Sequence, residues 1–205
     1  MFGTAADCFV NASFGITICG GAGGVKFFPN GQQFYTASSG TSHAAPAVAG
    51  AAALVRQRFL NAGLNAPSPA MTKAALMNTA RYLTGANAND SLWSNNQGMG
   101  EANLPTFFNL FTQQNFLRDQ QLLDTFTASG QQRVFTGVIA DATKPFRVTL
   151  AWTDAPGSTV GNAYVNNLDL EVTVNGQTYK GNVYQGAFST TGGLADPRNN
   201  VGTAR

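Results

Sequence analysis

Ser39-Gly40-Thr41-Ser42-His43-Ala44-Ala45-Pro46-Ala47-Val48-Ala49-Gly50 decides how the rest of this chain is read. A glycine-containing, extended segment runs into a stretch with no charge before Arg56 and, between Ala44 and Leu60, no glycine but Gly50. Val48, Ala51, Ala52, Val55 and Phe59 fall on one helical stripe. Alanine around the rest of the circumference predicts a helix packed closely on several sides. Arg56 and Arg58 stand in its last turns, where the helix dipole favours cations, and Asn61 and Gly63 supply the stop. Ser42 thus lies where an extended segment meets the N-terminus of a buried helix. A hydroxyl there has the positive end of the dipole beneath it and free backbone N–H groups beside it. Those are the ingredients of an oxyanion hole for acyl transfer. The plainer reading makes Ser42 an N-cap and nothing more. Pro46 suits either, because it lies in or near the first turn.

Outward from this helix the chain changes texture twice. Upstream, residues 25–36 (VKFFPNGQQFYT) are two apolar-aromatic runs joined by Pro29-Asn30-Gly31, the pattern of a hairpin. Downstream, Ser68 as N-cap and Pro69 at the first helical position open a second helix through MTKAALMNTA. After the turn at 95–104, residues 107–125 are rich in Phe, Leu and Gln and form the expected interdomain connection. Beyond it, strand alternation takes over. Phe146, Val148, Leu150 and Trp152 share one face against Arg147, Thr149 and Thr153, and Leu168, Leu170, Val172 and Val174 alternate with Asp169, Glu171 and Thr173. Asn175-Gly176 then closes a two-residue hairpin. One-sided alternation suits antiparallel sheets, so the last third predicts a β-sandwich.

Composition removes several function classes. The 205 residues are 43% hydrophobic and 11% charged, enough to bury a core and unlike a disordered chain. Twelve Lys+Arg against ten Asp+Glu are scattered, whereas a nucleic-acid surface needs a concentrated basic face. No stretch reaches the roughly 18 uninterrupted apolar residues of a membrane span. The N-terminus lacks a basic n-region and carries Asp7 early, so it reads as mature-domain sequence rather than a signal peptide. His43 is the single histidine, which excludes any mechanism needing two. Cys8 and Cys19 are the only cysteines, a disulfide if the protein is secreted and two buried thiols if it is not.

From Gly40 to Gly50 the string resembles the nucleophile motif of the subtilisin-like serine proteases, Gly-Thr-Ser-x-Ala-x-Pro-x-Val-Ala-Gly, at all eight fixed positions of the eleven. Asn96-Gln97-Gly98-Met99-Gly100 is similar to a turn of that family. TLAWTDAPG (149–157) and NNLDLEVTV (166–174) are similar to the β-sandwich appended to one branch of it. The resemblance implies an α/β subtilisin-like catalytic-domain fragment (a hairpin plus two helices) over 1–117, followed over 118–205 by an antiparallel, jelly-roll-like sandwich. Both ends look cut short. It implies a secreted serine endopeptidase acting on a protein or peptide substrate, with Ser42 as nucleophile and its own N–H as one oxyanion donor. It also implies calcium in the sandwich, for which Asp154, Asn167 and Asp169 at strand ends offer hard oxygen ligands. The competing expectation for Asp154 is a cap on the Pro156-Gly157 turn.

The chain departs from the family where catalysis needs most. The family's triad runs Asp, His, Ser, yet the 41 residues before Ser42 hold Asp7 and no histidine. Neighbouring helical residues point about 100° apart, so His43 is not expected to reach the Ser42 hydroxyl as a base. The related sedolisins pair Ser with Glu, but Glu101 and Glu171 are the only two and both follow Ser42. The chain alone is therefore expected to be inactive. The alternative function is a non-catalytic binding or stabilising module carried by the sandwich.

Overall fold

The computed structural model describes residues 34, 40–109, 116–161 and 163–194, with the backbone of short strands at 10–11, 16–17, 26–27, 36–37 and 201–204. The chain divides into two compact units, Met1–Gly50 and Ala51–Arg205.

The first unit holds two short antiparallel pairs. Strand β1 (Val10–Asn11) pairs with β2 (Ile16–Thr17), and β3 (Lys26–Phe27) with β4 (Thr36–Ala37). The second pair is the hairpin expected from the two aromatic runs, with Lys26 opposite Ala37 and Phe27 opposite Thr36. Its Pro29-Asn30-Gly31 turn, like Cys8 and Cys19, lies outside the described residues.

Helix α1 (Thr41–Asn61) opens at the junction that the sequence marks around Ser42. Gly40 precedes it at φ +135°, a left-handed conformation open to glycine, and its carbonyl accepts the N–H of His43 (3.0 Å) and of Ala44 (3.1 Å). Gly40 is therefore the N-cap and Ser42 the second helical residue, which corrects the N-cap reading of Ser42. Pro46 sits inside the helix, one turn in. It has no N–H to offer the Ser42 carbonyl.

The predicted stripe is half right. Ala51, Val55 and Phe59 are buried and Ala52 is half-buried, but residues 41–50 are all exposed, Val48 among them. Alanine all round the helix does not translate into burial there, because burial needs neighbours and those ten residues have none covering them among the described residues. The buried half joins a core with α2 (Pro69–Thr79) and α3 (Leu104–Phe108). Val55, Phe59, Ala75 and Phe107 form its centre, with Met71, Leu76, Leu104 and Phe108 packed around it. The Phe59 and Phe107 rings stack at 6.2 Å, and Phe108 meets Phe107 edge-on at 5.7 Å. The start of the expected interdomain connection is thus a core element.

Helix α2 begins as its sequence dictates. The Ser68 side chain accepts the N–H of Met71 (3.0 Å), and Pro69 follows. Ser68 is itself anchored from 51 residues away, because its N–H and Oγ–H donate to the two oxygens of Asp119 (2.8 and 2.7 Å).

The C-terminal strands are antiparallel, as expected, with the alternating runs at 146–152 and 168–174 trimmed to 148–151 and 171–174. Strand β5 (Val148–Ala151) pairs with β9 (Val201–Ala204); β6 (Glu171–Val174), β7 (Gln177–Gln185) and β8 (Phe188–Thr191) form a three-stranded sheet. Asn175 (φ +50°) and Gly176 (φ +75°) make the tight turn that sets Val174 opposite Gln177. The second polar face of β5 is not a solvent face. Arg147, just before the strand, donates from Nη1 to the carbonyls of Asn78 (3.0 Å) and Ala80 (3.1 Å) at the end of α2, and Asn78 Nδ2 donates to Thr149 Oγ1 (3.1 Å). Burial of the Arg147 guanidinium pushes its pKa down. A closed two-layer sandwich is not among the described elements.

Candidate functional site

Ser42 is exposed on the first turn of α1. The N–H groups of Thr41 and Ser42 precede the first hydrogen bond of the helix, the donation from His43 to Gly40, and meet no acceptor among the described residues. With Pro46 four residues on, the Ser42 carbonyl has no N–H to accept at the usual i+4 position. Two free N–H groups at the positive end of a helix can donate to an oxygen that gains negative charge. His43 is exposed, and its Cδ2 lies 3.8 Å from where a Cβ on Gly40 would stand. Asp7 is the only carboxylate of residues 1–50 and lies outside the described residues. The described part of that unit therefore gives Ser42 neither a second imidazole nor a carboxylate.

Residues 18–100 match the family model described as Subtilase family. Over that stretch the chain is similar to the subtilase family. No curated protein and no solved structure matches the chain. The subtilase segment takes in the whole Gly40–Gly50 string, α2 and the Asn96–Gly100 turn, and it ends before β5.

The turn that closes the segment is built for rigidity. Arg81 and Glu101 exchange backbone hydrogen bonds at 2.8 Å each, and their side chains pair, Arg81 Nε donating to Glu101 Oε2 at 2.9 Å. Gly100 (φ +110°) sits so close to the Arg81 carbonyl that a Cβ would collide with it. Inside the loop, the Gln97 amide donates to Asp90 Oδ1 (2.9 Å) and the Asn96 amide to Oδ2 (3.0 Å). The Gln97 bond, first among them, holds the Asp90 carboxyl below its ordinary range. The loop is tied to the β7–β8 turn by Leu92 N–H donating to the Gly186 carbonyl (2.9 Å) and Gly186 N–H to Ser91 Oγ (3.0 Å). These contacts hold residues of the subtilase segment and of the C-terminal sheet in one unit.

The three residues expected to bind calcium behave differently from one another. Asp154 accepts the N–H groups of Ala155 (2.9 Å), Val165 (2.7 Å) and Asn166 (3.1 Å) and the Asn166 side-chain amide (2.6 Å). The Val165 N–H above all holds its carboxyl below the usual aspartate range. Gly157 lies inside the loop so closed, where a Cβ would strike the Ala163 carbonyl. Asn167 and Asp169 are exposed. Among the described residues no three His, Cys, Asp or Glu side chains gather as metal ligands. Calcium does not fit Asp154 as it stands, since an ion would have to displace donors from both oxygens. The carboxylate is a clamp on residues 154–166, a wider span than the Pro156-Gly157 turn alone. Arg147, Asp119 and Asn166 are the positioning residues that local pattern did not reveal. Only Arg147, a lone cation on a threonine-bearing strand face, carries a signal in sequence.

Proposed function

We propose that Ser42 is the nucleophile of a serine endopeptidase acting on protein substrates. One observation carries the reading: Ser42 lies within the segment that matches the subtilase family and occupies the second position of α1, beside unbonded N–H groups. In the proposed reaction its Oγ attacks the scissile carbonyl, and its own N–H donates to the developing oxyanion. The proton of Oγ must pass to a base, and His43 is the only imidazole in the chain. As the next helical residue it points about 100° away from Ser42. The 205 residues thus hold the nucleophile and one oxyanion donor without the base and its orienting carboxylate, and on this reading they are inactive alone. In subtilisin, a family relative, loss of the triad costs about 10⁶-fold in turnover.

Secretion and the Cys8–Cys19 bridge belong to the same proposal, as does a jelly-roll whose faces are β5–β9 and β6–β7–β8. The one-sided alternation of β6, with Val172 and Val174 more covered than Glu171 and Thr173, supports it. Casein hydrolysis tests the enzymatic reading. The chain as written is expected to show no Ser42-dependent hydrolysis. The chain joined to in-frame coding sequence supplying Asp and His motifs is expected to hydrolyse casein and to lose this with Ser42→Ala. Hydrolysis that survives Ser42→Ala in the extended protein would overturn the assignment.

A further inference from the structure

Helix α2 is short and lacks charges of its own where a helix most needs them. Its eleven residues hold one charge, Lys73 in the second turn, with no acid in the first turn and no base in the last. Unbonded N–H groups at one end of a helix and carbonyls at the other leave partial charges of opposite sign there. A helix of this length is marginal in water by itself. Both ends of α2 are met by residues that follow the subtilase segment.

At the start, both Asp119 oxygens accept from Ser68, Oδ2 its N–H (2.8 Å) and Oδ1 its Oγ–H (2.7 Å). A hydroxyl has one proton to give, so this donation turns a Ser68 lone pair toward the Met71 N–H (3.0 Å). The carboxylate thus orients the cap and sets a negative charge at the positive end of the helix. At the finish, Arg147 Nη1 donates to the carbonyls of Asn78 (3.0 Å) and Ala80 (3.1 Å), a positive charge at the negative end. Between the two grips, every residue of 120–146 is exposed except the half-buried Asp124 and Arg133. Those two bond close by, Asp124 to Arg118 (2.8 Å) and Arg133 to the carbonyls of Leu123 (2.9 Å) and Thr125 (2.6 Å).

We propose that residues 119–147 are a clasp that holds α2 by both ends, with the Asp119 anion on its positive end and the Arg147 cation on its negative end. Helix formation is cooperative, so in a short helix a cap at either end protects the turns at the other. Loss of either grip therefore loosens α2 throughout. With it goes the face, Ala75 with Met71 and Leu76, that packs with Val55 and Phe59 of α1. The stretch after the subtilase segment thereby steadies a helix inside that segment, by charge rather than by burial. The clasp is independent of the catalytic role of Ser42.

Amide hydrogen exchange of the whole chain, resolved to single residues, tests it on Asp119→Asn, Arg147→Met and Arg147→Lys. Asp119→Asn removes the charge and little else, and Arg147→Lys keeps the charge. In Asp119→Asn and Arg147→Met the amides of α2 are expected to exchange at least about fivefold faster in both the first and the last turn. The amides of β6, β7 and β8 serve as the internal control and are expected to keep their rates. Arg147→Lys should retain part of the protection that Arg147→Met loses, and 1 M salt should narrow the gap between the parent and Asp119→Asn. Should Arg147→Met lose the parent circular dichroism, Asp119→Asn read at the last turn of α2 carries the test alone. Parent rates in Asp119→Asn, acceleration confined to the turn beside the substitution, or equal acceleration across β6–β7–β8 would each overturn the proposal.

Discussion

Helix α1 is one continuous helix in two environments. From Thr41 to Gly50 every residue is exposed, Val48 to 46%; from Ala51 onward Val55 is wholly buried and Phe59 stacks on Phe107. Both halves have apolar residues at helical spacing, and Pro46 does not stop the first. The difference lies in what stands opposite. The second half has α2 and α3 to close over it, and the first has no covering partner among the described residues. The contrast separates two things that a sequence motif joins. Local sequence places Ser42 at a helix start with N–H groups to spare, whereas proton transfer and substrate binding depend on neighbours.

Substitutions along α1 should measure that contrast. Phe59→Ala is expected to cost about 3–5 kcal/mol by chemical denaturation, from lost burial and the cavity left against Phe107. Equal costs for Phe59→Ala and Val48→Ala would erase the difference between the halves. In the packed unit, Gly157→Ala forces a methyl onto the Ala163 carbonyl and should cost about 1–3 kcal/mol. Ser68→Ala removes the cap of α2 and strands the Asp119 carboxylate, and a loss of about 1 kcal/mol is expected. Val48→Ala should stay within about 0.5 kcal/mol.

Acid titration adds a smaller effect with a definite sign. Asp154 binds its proton less tightly folded than unfolded. Its contribution is therefore present above the ordinary aspartate pKa near ~3.9 and disappears as pH falls through the lower folded value. Asp154→Asn should flatten the acid limb of the stability profile, read as melting temperature against pH. Excess chelator should leave the melting temperature at neutral pH unchanged, because N–H groups and not an ion satisfy the carboxylate.

What the sequence made legible was local. Ser68-Pro69 announced α2, Asn175-Gly176 the β6–β7 turn, and the 40–50 string the subtilase segment, because each is set by residues a few positions apart. The bond from Ser68 to Asp119 spans 51 positions and that from Arg147 to Asn78 spans 69, and no periodicity encodes such pairings. Asp154 was legible as an important carboxylate but not in its role. Oxygen atoms at strand ends suit an ion or a row of N–H groups equally, and only the path of residues 163–166 decides between them. The exposure of Val48 was illegible for the opposite reason. Its spacing is that of a core position, and spacing does not say whether the core is there.

The most direct test of the account is labelling with a fluorophosphonate, which modifies an activated serine, followed by intact mass and peptide mapping. The chain as written and its Ser42→Ala variant are expected to stay unlabelled alike, because on the proposed reading the hydroxyl has N–H donors beside it and lacks the triad's base. The form extended upstream to supply Asp and His motifs is expected to label at Ser42 alone. Ser42-dependent labelling of the short chain would contradict the account and make His43 the base.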